Sequence, residues 1–468
     1  MSVSNRSTSA VGGGEKLDFK RVAPVFVVVL VDLLGLTIII PLMPLYAASF
    51  GANAFLIGVL GAAYPVMQVV GAPILGRLSD RYGRKPVLLV SQVGTFIGFV
   101  LLGSADTLWL LFLARIIDGL SGGNISTAQA VISDITTEET RTQGLGLIGA
   151  AFGIGFIIGP VIAFVSLALS GNNYHVPAFV AAGFSLISIL LTWFLLEETL
   201  ERSPDSAQST AAGFSISRLL SVLGLPQVGL LLGLMFLQQI AFGGFEQLLA
   251  LFTLNRLGLN ASGNAAIFVY VGVIVVFVQV YFIGRWSRRW GDRNLVYLGL
   301  AALALGLTLM ALTPSEPAPW YRPELLREEL FESGDVRAHE TPVTKSLAVE
   351  IPEKAGDSWL GVGWILAALL PTSIGGGILR PGINSLLTKR VVAGDVGGVL
   401  GLSSAFNSAA NAIAPVLGGA LFQILGSTAP FLTFGLIMLG LFLLALRRLQ
   451  PAEGIERVTL QDPVPPDR

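Results

Sequence analysis

Apolar residues fill this chain in long unbroken blocks, with shorter polar stretches between them. The blocks run at 24–48, 55–76, 86–104, 109–133, 144–168, 176–196, 227–252, 263–285, 295–312, 359–388, 397–424 and 428–447. A helix of roughly 20 apolar residues crosses a hydrocarbon core about 30 Å thick. Within each block apolarity is continuous rather than alternating, which predicts helices and not the strands of a barrel. The expected fold class is therefore all-α integral membrane, with twelve transmembrane helices.

The pattern occurs twice. Gly76-Arg77-Leu78-Ser79-Asp80-Arg81-Tyr82-Gly83-Arg84-Lys85 aligns without a gap on Gly284-Arg285-Trp286-Ser287-Arg288-Arg289-Trp290-Gly291-Asp292-Arg293. Further on, Trp109 matches Trp364, Leu145-Gly146-Leu147 matches Leu400-Gly401-Leu402, and Pro160 matches Pro415. These later matches are displaced by a polar stretch at 313–358 that the first copy lacks. The repeat predicts two six-helix pseudo-symmetric halves rocking about a site at their interface. The expected units are a cytoplasmic tail (1–23), a first half (24–198), a cytoplasmic linker (199–226), a second half (227–447) and a cytoplasmic tail (448–468). Inside the inserted loop, 325–331 reads as one short amphipathic helix. The insert is either a tolerated external addition, since long surface loops cost little closure entropy, or a lid over the exit.

Composition agrees with a bilayer as solvent: 53% of residues are hydrophobic and only 13% charged. Basic residues fix the orientation. Arg77, Arg81, Arg84 and Lys85, then Arg141, Arg285, Arg288, Arg289, Arg293, Lys389 and Arg390 fall in one set of loops, and the short loops of the other set hold Arg256. Both termini are thus expected in the cytoplasm of a cell whose inner (plasma) membrane holds the protein. A net charge of -1 gives no reason to expect a nucleic-acid partner, and the absence of cysteine removes thiolate chemistry. His175 and His339 form no metal-binding pattern, and no glycine-rich segment continues into Gly-Lys-Ser/Thr. Neither an enzyme nor a cofactor or metal is expected. The expected partners are the lipid bilayer, protons and a small-molecule substrate, with the chain a monomer.

Three charged positions lie within the predicted spans of the first half. Asp32 is near the middle of the first, where a carboxylate is costly unless paired or facing water. It is a proton-carrier candidate, with a structural ion pair as the alternative. Arg115 and Asp118 are three residues apart, hence on one helical face. One arginine facing two carboxylates lets one acid take a proton while the other stays paired; whether Asp32, Asp118 or both do so stays open. In the second half, Glu246 and Arg380 either pair across a cavity or meet a charged substrate. Gln68, Gln239 and Asn384, from both halves, offer hydrogen bonds in a central pocket, and Tyr64, Phe242, Phe245, Tyr270 and Phe406 offer aromatic faces. Gly375-Gly376-Gly377 is a place where the tenth helix would break.

Several of these motifs resemble those of one family. The segment containing Gly76, Asp80, Arg81, Gly83 and Arg84 resembles the signature loop of the major facilitator superfamily. That resemblance implies a latch in which Asp80 helps close the inner face against residues near 395–397; positive-inside anchoring alone is the other reading. Asp32-Leu33-Leu34-Gly35 with Pro41-Leu42-Met43-Pro44 resembles the first-helix motif of its twelve-helix drug:proton antiporters, tetracycline efflux proteins among them. Arg115-Ile116-Ile117-Asp118-Gly119 resembles their Arg-x-x-Gln-Gly motif, with Asp118 in place of Gln. Gly155, Gly159 and Pro160 resemble the fifth-helix antiporter motif, which implies export, although Ala163-Phe164 replaces its final Gly-Gly. The spans at 87–103 and 295–312 lack the acids of the tetracycline proteins. The implied activity is proton-coupled export of a small amphipathic compound or drug by alternating access. A proton symporter for a sugar, organic acid or amino acid is the alternative, and a non-transporting sensor a third.

Overall fold

The computed structural model describes residues 18–137, 140–200, 224–334, 349–392 and 396–450. The first half comprises α1 (Phe19–Ile39), α2 (Met43–Ser49), α3 (Ala54–Tyr82), α4 (Arg84–Gly103), α5 (Leu108–Ser121), α6 (Asn124–Asp134), α7 (Arg141–Leu169) and α8 (His175–Leu195). The second comprises α9 (Pro226–Leu257), α10 (Ala261–Phe277), α11 (Ile283–Ala311), α12 (Pro323–Gly334), α13 (Leu360–Arg390), α14 (Val396–Leu425) and α15 (Ala429–Arg448). α1 with α2 makes one crossing and α5 with α6 another.

Eleven helices are long and apolar enough to cross a membrane, one of them a continuous 51-residue stretch, Ala261–Ala311. That stretch is two crossings. A π-helical turn, Val278–Phe282, follows α10, and Gly291 inside α11 has φ 76° and ψ 156°, which ends one crossing and begins the next. Twelve crossings result. Gly83, with φ 112°, makes the matching corner between α3 and α4. The tenth crossing departs from expectation: α13 runs unbroken through Gly375-Gly376-Gly377. Those glycines serve close packing, since a Cβ at Gly375 would meet the Gly299 carbonyl of α11 at 2.7 Å. The short helix expected in the inserted loop is present as α12.

The corners at Gly83 and Gly291, the start of α9 and the end of α15 lie at one end of the bundle, here the basic face. At the opposite face the two halves are locked together. A Cβ on Gly58 of α3 would stand 2.3 Å from the Pro415 carbonyl oxygen of α14, so the two backbones touch there. The Gln423 side chain accepts a hydrogen bond from the Ala54 amide at 3.1 Å, and Asn172 accepts one from the Ser262 amide at 3.1 Å. Toward the basic face the halves separate: a Cβ at Gly146, Gly149 or Gly401 would meet no atom within 4 Å. Among the described residues, no hydrogen bond joins the halves on that side. The molecule is closed at one face and open at the other.

Candidate functional site

The buried charges of the first half come from two crossings, Asp32 from α1 and Arg115 and Asp118 from α5. Arg115 and Asp118, one turn apart on α5, form an ion pair of 2.9 Å; both are under a tenth exposed. The Arg115 guanidinium lies 4.6 Å from the centre of the Tyr64 ring on α3, so a π face carries part of its charge. Tyr64 is itself gripped, because Gly119 and Gly122 of the fourth crossing close on it with no side chain between. Gln68, one turn along α3, donates to the Gly122 carbonyl at 2.9 Å and to the Tyr64 hydroxyl at 3.3 Å.

Asp32 does not pair with Arg115. Its Oδ2 accepts from Asn124 Nδ2 of α6 at 2.9 Å, and its Oδ1 is buried with no partner. A small cavity lined by Val28, Asp32, Leu88, Gln92 and Asn124 lies beside it. Gly155 and Gly159 of α7 pack on α1 one turn beyond Asp32, against Leu33 and Thr37. Pro160 sits within α7, which continues through it. The site thus holds two carboxylates and one guanidinium, with Asn124 the member that sequence reasoning missed. Its signal was available: a polar amide two and a half turns beyond Arg115 inside an apolar span.

In the second half the candidates separate into ties and unpartnered charges. Gln239 donates to Asn411 at 2.8 Å and Asn384 accepts from Ser403 at 2.8 Å, each joining two helices. Tyr270 bonds the Leu366 carbonyl and Phe245 is fully packed. Glu246 and Arg380 form no ion pair with each other or with any described residue. Gly376, one turn before Arg380, touches the Phe242 ring, and Gly377 accepts a hydrogen bond from Gln279. Asn384, one turn after it, reaches α14. Arg380 therefore lies on the face of α13 that carries Gly376 and Asn384, the face turned to α9 and α14. Glu246 is one turn from Phe242 in the opposite direction.

At the basic face, Arg84 binds Asp134 at 2.9 Å, Asp80 at 2.5 Å and Ser79 at 2.8 Å. Asp80 thus pairs within its own half. Of its expected counterpart, residue 395 and the side chains of 396 and 397 lie outside the described residues. The Glu198 carboxylate caps α4, accepting from the Arg84 and Lys85 amides at 2.8 and 3.2 Å. Gly76 faces open space, and Arg81 rests on the Tyr82 ring. The second copy keeps two of these contacts with the charges reversed. Asp292, which aligns with Arg84, accepts from Ser287 and from Lys389, both at 2.5 Å; Ser287 aligns with Ser79, and Lys389 stands where Asp134 stands in the first half. Burial raises the Asp292 carboxyl, but hydrogen bonds from Lys389, Ser287 and Ser385 outweigh it and hold the group below its ordinary range.

Comparisons with known proteins agree with this architecture. The sequence profile of the Major Facilitator Superfamily matches residues 25–322 and 356–465. The chain is 30% identical to the class H tetracycline resistance protein of Pasteurella multocida over 295 residues, 62% of this chain and 73% of that protein. It is 26% identical to multidrug resistance protein 1 of Bacillus subtilis over 84% of this chain and 87% of the relative. The crystal structure of the human organic anion transporter MFSD10 (TETRAN) superposes with a TM-score of 0.61 at 22% identity, covering 92% of this chain and 100% of that one, a likeness of fold. Twelve crossings in two halves, the signature loop at Gly76–Lys85 and a profile match across both halves make this chain a member of the Major Facilitator Superfamily, a multi-pass membrane transporter and not an enzyme.

Proposed function

We propose that the protein exports a small amphipathic compound in exchange for protons. The observation that carries this reading is the charge count in the first half: two carboxylates, Asp118 paired with Arg115 and Asp32 held by Asn124, stand against one guanidinium within apolar helices. That count leaves a place for one exchangeable proton. Relatives named for tetracycline and multidrug resistance support the direction, and the density of Lys and Arg at the open face supports a cytoplasmic location for it. Substrate then enters between the halves from inside. Phe242 offers it a ring, with Arg380 one turn toward the open face and Glu246 one turn toward the closed face, about 11 Å apart along the axis. Protonation at Asp32 or Asp118 from outside loosens the Arg115 network and releases substrate, and proton loss to the cytoplasm resets it.

One observation favours a second reading. Arg380 has no carboxylate partner among the described residues, which suits an anionic solute and therefore a proton symporter for an organic acid. Inverted membrane vesicles with an acidic lumen separate the two. Lumen alkalinisation on adding a lipophilic cation or tetracycline is expected for export. Silence across a drug panel, with proton-coupled uptake of organic acids in right-side-out vesicles, would replace export with symport.

A further inference from the structure

The segment that the family profile skips, between residues 322 and 356, is not a loose addition. The chain entering it and the chain leaving it are anchored together on the second half. The Ala318 amide donates to the Leu257 carbonyl at 2.9 Å, the Tyr321 hydroxyl donates to the Pro352 carbonyl at 2.6 Å, and Asn255 holds the Glu350 carbonyl at 2.9 Å. Tyr321 lies flat against Gly258, whose φ of 66° and missing side chain make room for the ring. From this base α12 reaches back over α2 of the first half, burying Leu326 and Leu330 in the main core while Leu325 stays exposed. Glu329 lies between those two buried leucines. Its carboxylate accepts from Asn172 at 3.2 Å and Tyr174 at 3.4 Å, both of the first half, and from Asn260 at 3.1 Å, of the second.

We infer that α12 is a strap across the closed face, with Glu329 as the clasp that ties the two halves shut. Every contact between the halves at this face must part when the transporter opens to that side, and the clasp adds two hydrogen bonds, from Asn172 and Tyr174, to those that part. The strap is specific to this chain's insertion, since the profile match passes over it. Taking the closed face as the external one rests on the proposed function; the strap itself does not.

The clasp also senses the medium. Burial lifts the Glu329 carboxyl from 4.5 to about 6, against the pull of its hydrogen bonds from Asn260, Ala261, Tyr174 and Asn172. Titratable groups on the elements packed around it include Tyr174, His175 and Tyr46, with Tyr270 farther along α10 and Tyr321 at the base of the strap. His175 is held by the Tyr46 hydroxyl at 3.0 Å and the Gly103 carbonyl at 2.9 Å. On α12 itself Glu324, Arg327 and Glu328 are exposed. With the strap lifted, Glu329 returns to its ordinary value, so the closed face binds the proton more tightly. Closure is then strongest below about pH 4.5 and weakens as pH rises through about 6.

The chain has no cysteine, so spin labels placed at Ser104→Cys and Ser427→Cys report the separation of the halves at this face without a background. In the reconstituted full chain at pH 7, Glu329→Ala should raise the long-distance population on the order of 10-fold. Glu329→Gln, a neutral isostere of the protonated group, should keep the short distance and lose the pH dependence between 5 and 7. A distance distribution in Glu329→Ala identical to wild type would overturn the strap. Opening of Glu329→Gln to the same extent as Glu329→Ala would overturn the hydrogen-bonded clasp. The readout needs no substrate, so failure of the export reading leaves it unaffected.

Discussion

Gly58→Ala offers a direct test of how the closed face is held. The added Cβ would lie 2.3 Å from the Pro415 carbonyl oxygen, 3.1 Å from its carbon and 3.2 Å from the Gly419 Cα. Ordinary contact begins at 3.4 Å, so α3 and α14 must separate by at least about 1.1 Å where both partners are backbone. Overpacking of that kind costs about 1–3 kcal/mol. The penalty falls on the closed state alone, because the two helices part on opening. The equilibrium should therefore shift toward opening of this face by roughly 5- to 150-fold. Distances between spin labels at positions 104 and 427 measure it. Gly146→Ala is the control, since a Cβ there meets nothing within 4 Å. A Gly58→Ala distribution indistinguishable from wild type would show that α3 and α14 do not form the gate.

Other consequences concern the charges. Arg84→Asp should lower thermal stability by about 1–3 kcal/mol through the lost bonds to Asp134 and Asp80, and adding Asp134→Lys should recover much of it, because the second half already uses that polarity in Asp292–Lys389. Asp292 contributes stability above its ordinary carboxylate range and loses it as pH falls into acid. Asp292→Asn should flatten melting temperature between pH 7 and 3, a change followed by scanning fluorimetry. Arg380→Gln should raise the KM of anionic or zwitterionic substrates about 10-fold or more and leave that of lipophilic cations nearly unchanged, as measured by uptake into inverted vesicles.

The crossings were legible because a bilayer admits few alternatives: twenty apolar residues in a row must be helical and must span. Interior contacts were less so. The spacing of Arg115 and Asp118 gave their shared face, and the structure makes them a pair, but the amide at Asn124, visible as a polar residue in a span, did not by itself mark Asp32 as its partner. A neutral amide in a span reads like any other inter-helix tie, as Gln239 and Asn384 prove to be. The triple glycine at 375–377 reads as a break, yet in a helix packed on both sides it is the means of close approach. The reversed pair Asp292–Lys389 was half visible, since the repeat showed Arg84 replaced by Asp292 but not the partner at the far end of another crossing. Glu329 was beyond reach, because its meaning depends on three residues drawn from two distant loops.

The central claim is that Asp32 and Asp118 couple protons to export. Reconstituted protein with a pH-sensitive dye in the lumen measures protons moved per substrate for wild type, Asp32→Asn and Asp118→Asn. The account predicts coupled proton efflux in wild type and its loss in at least one variant, with substrate still bound. Unchanged coupling in both would contradict it.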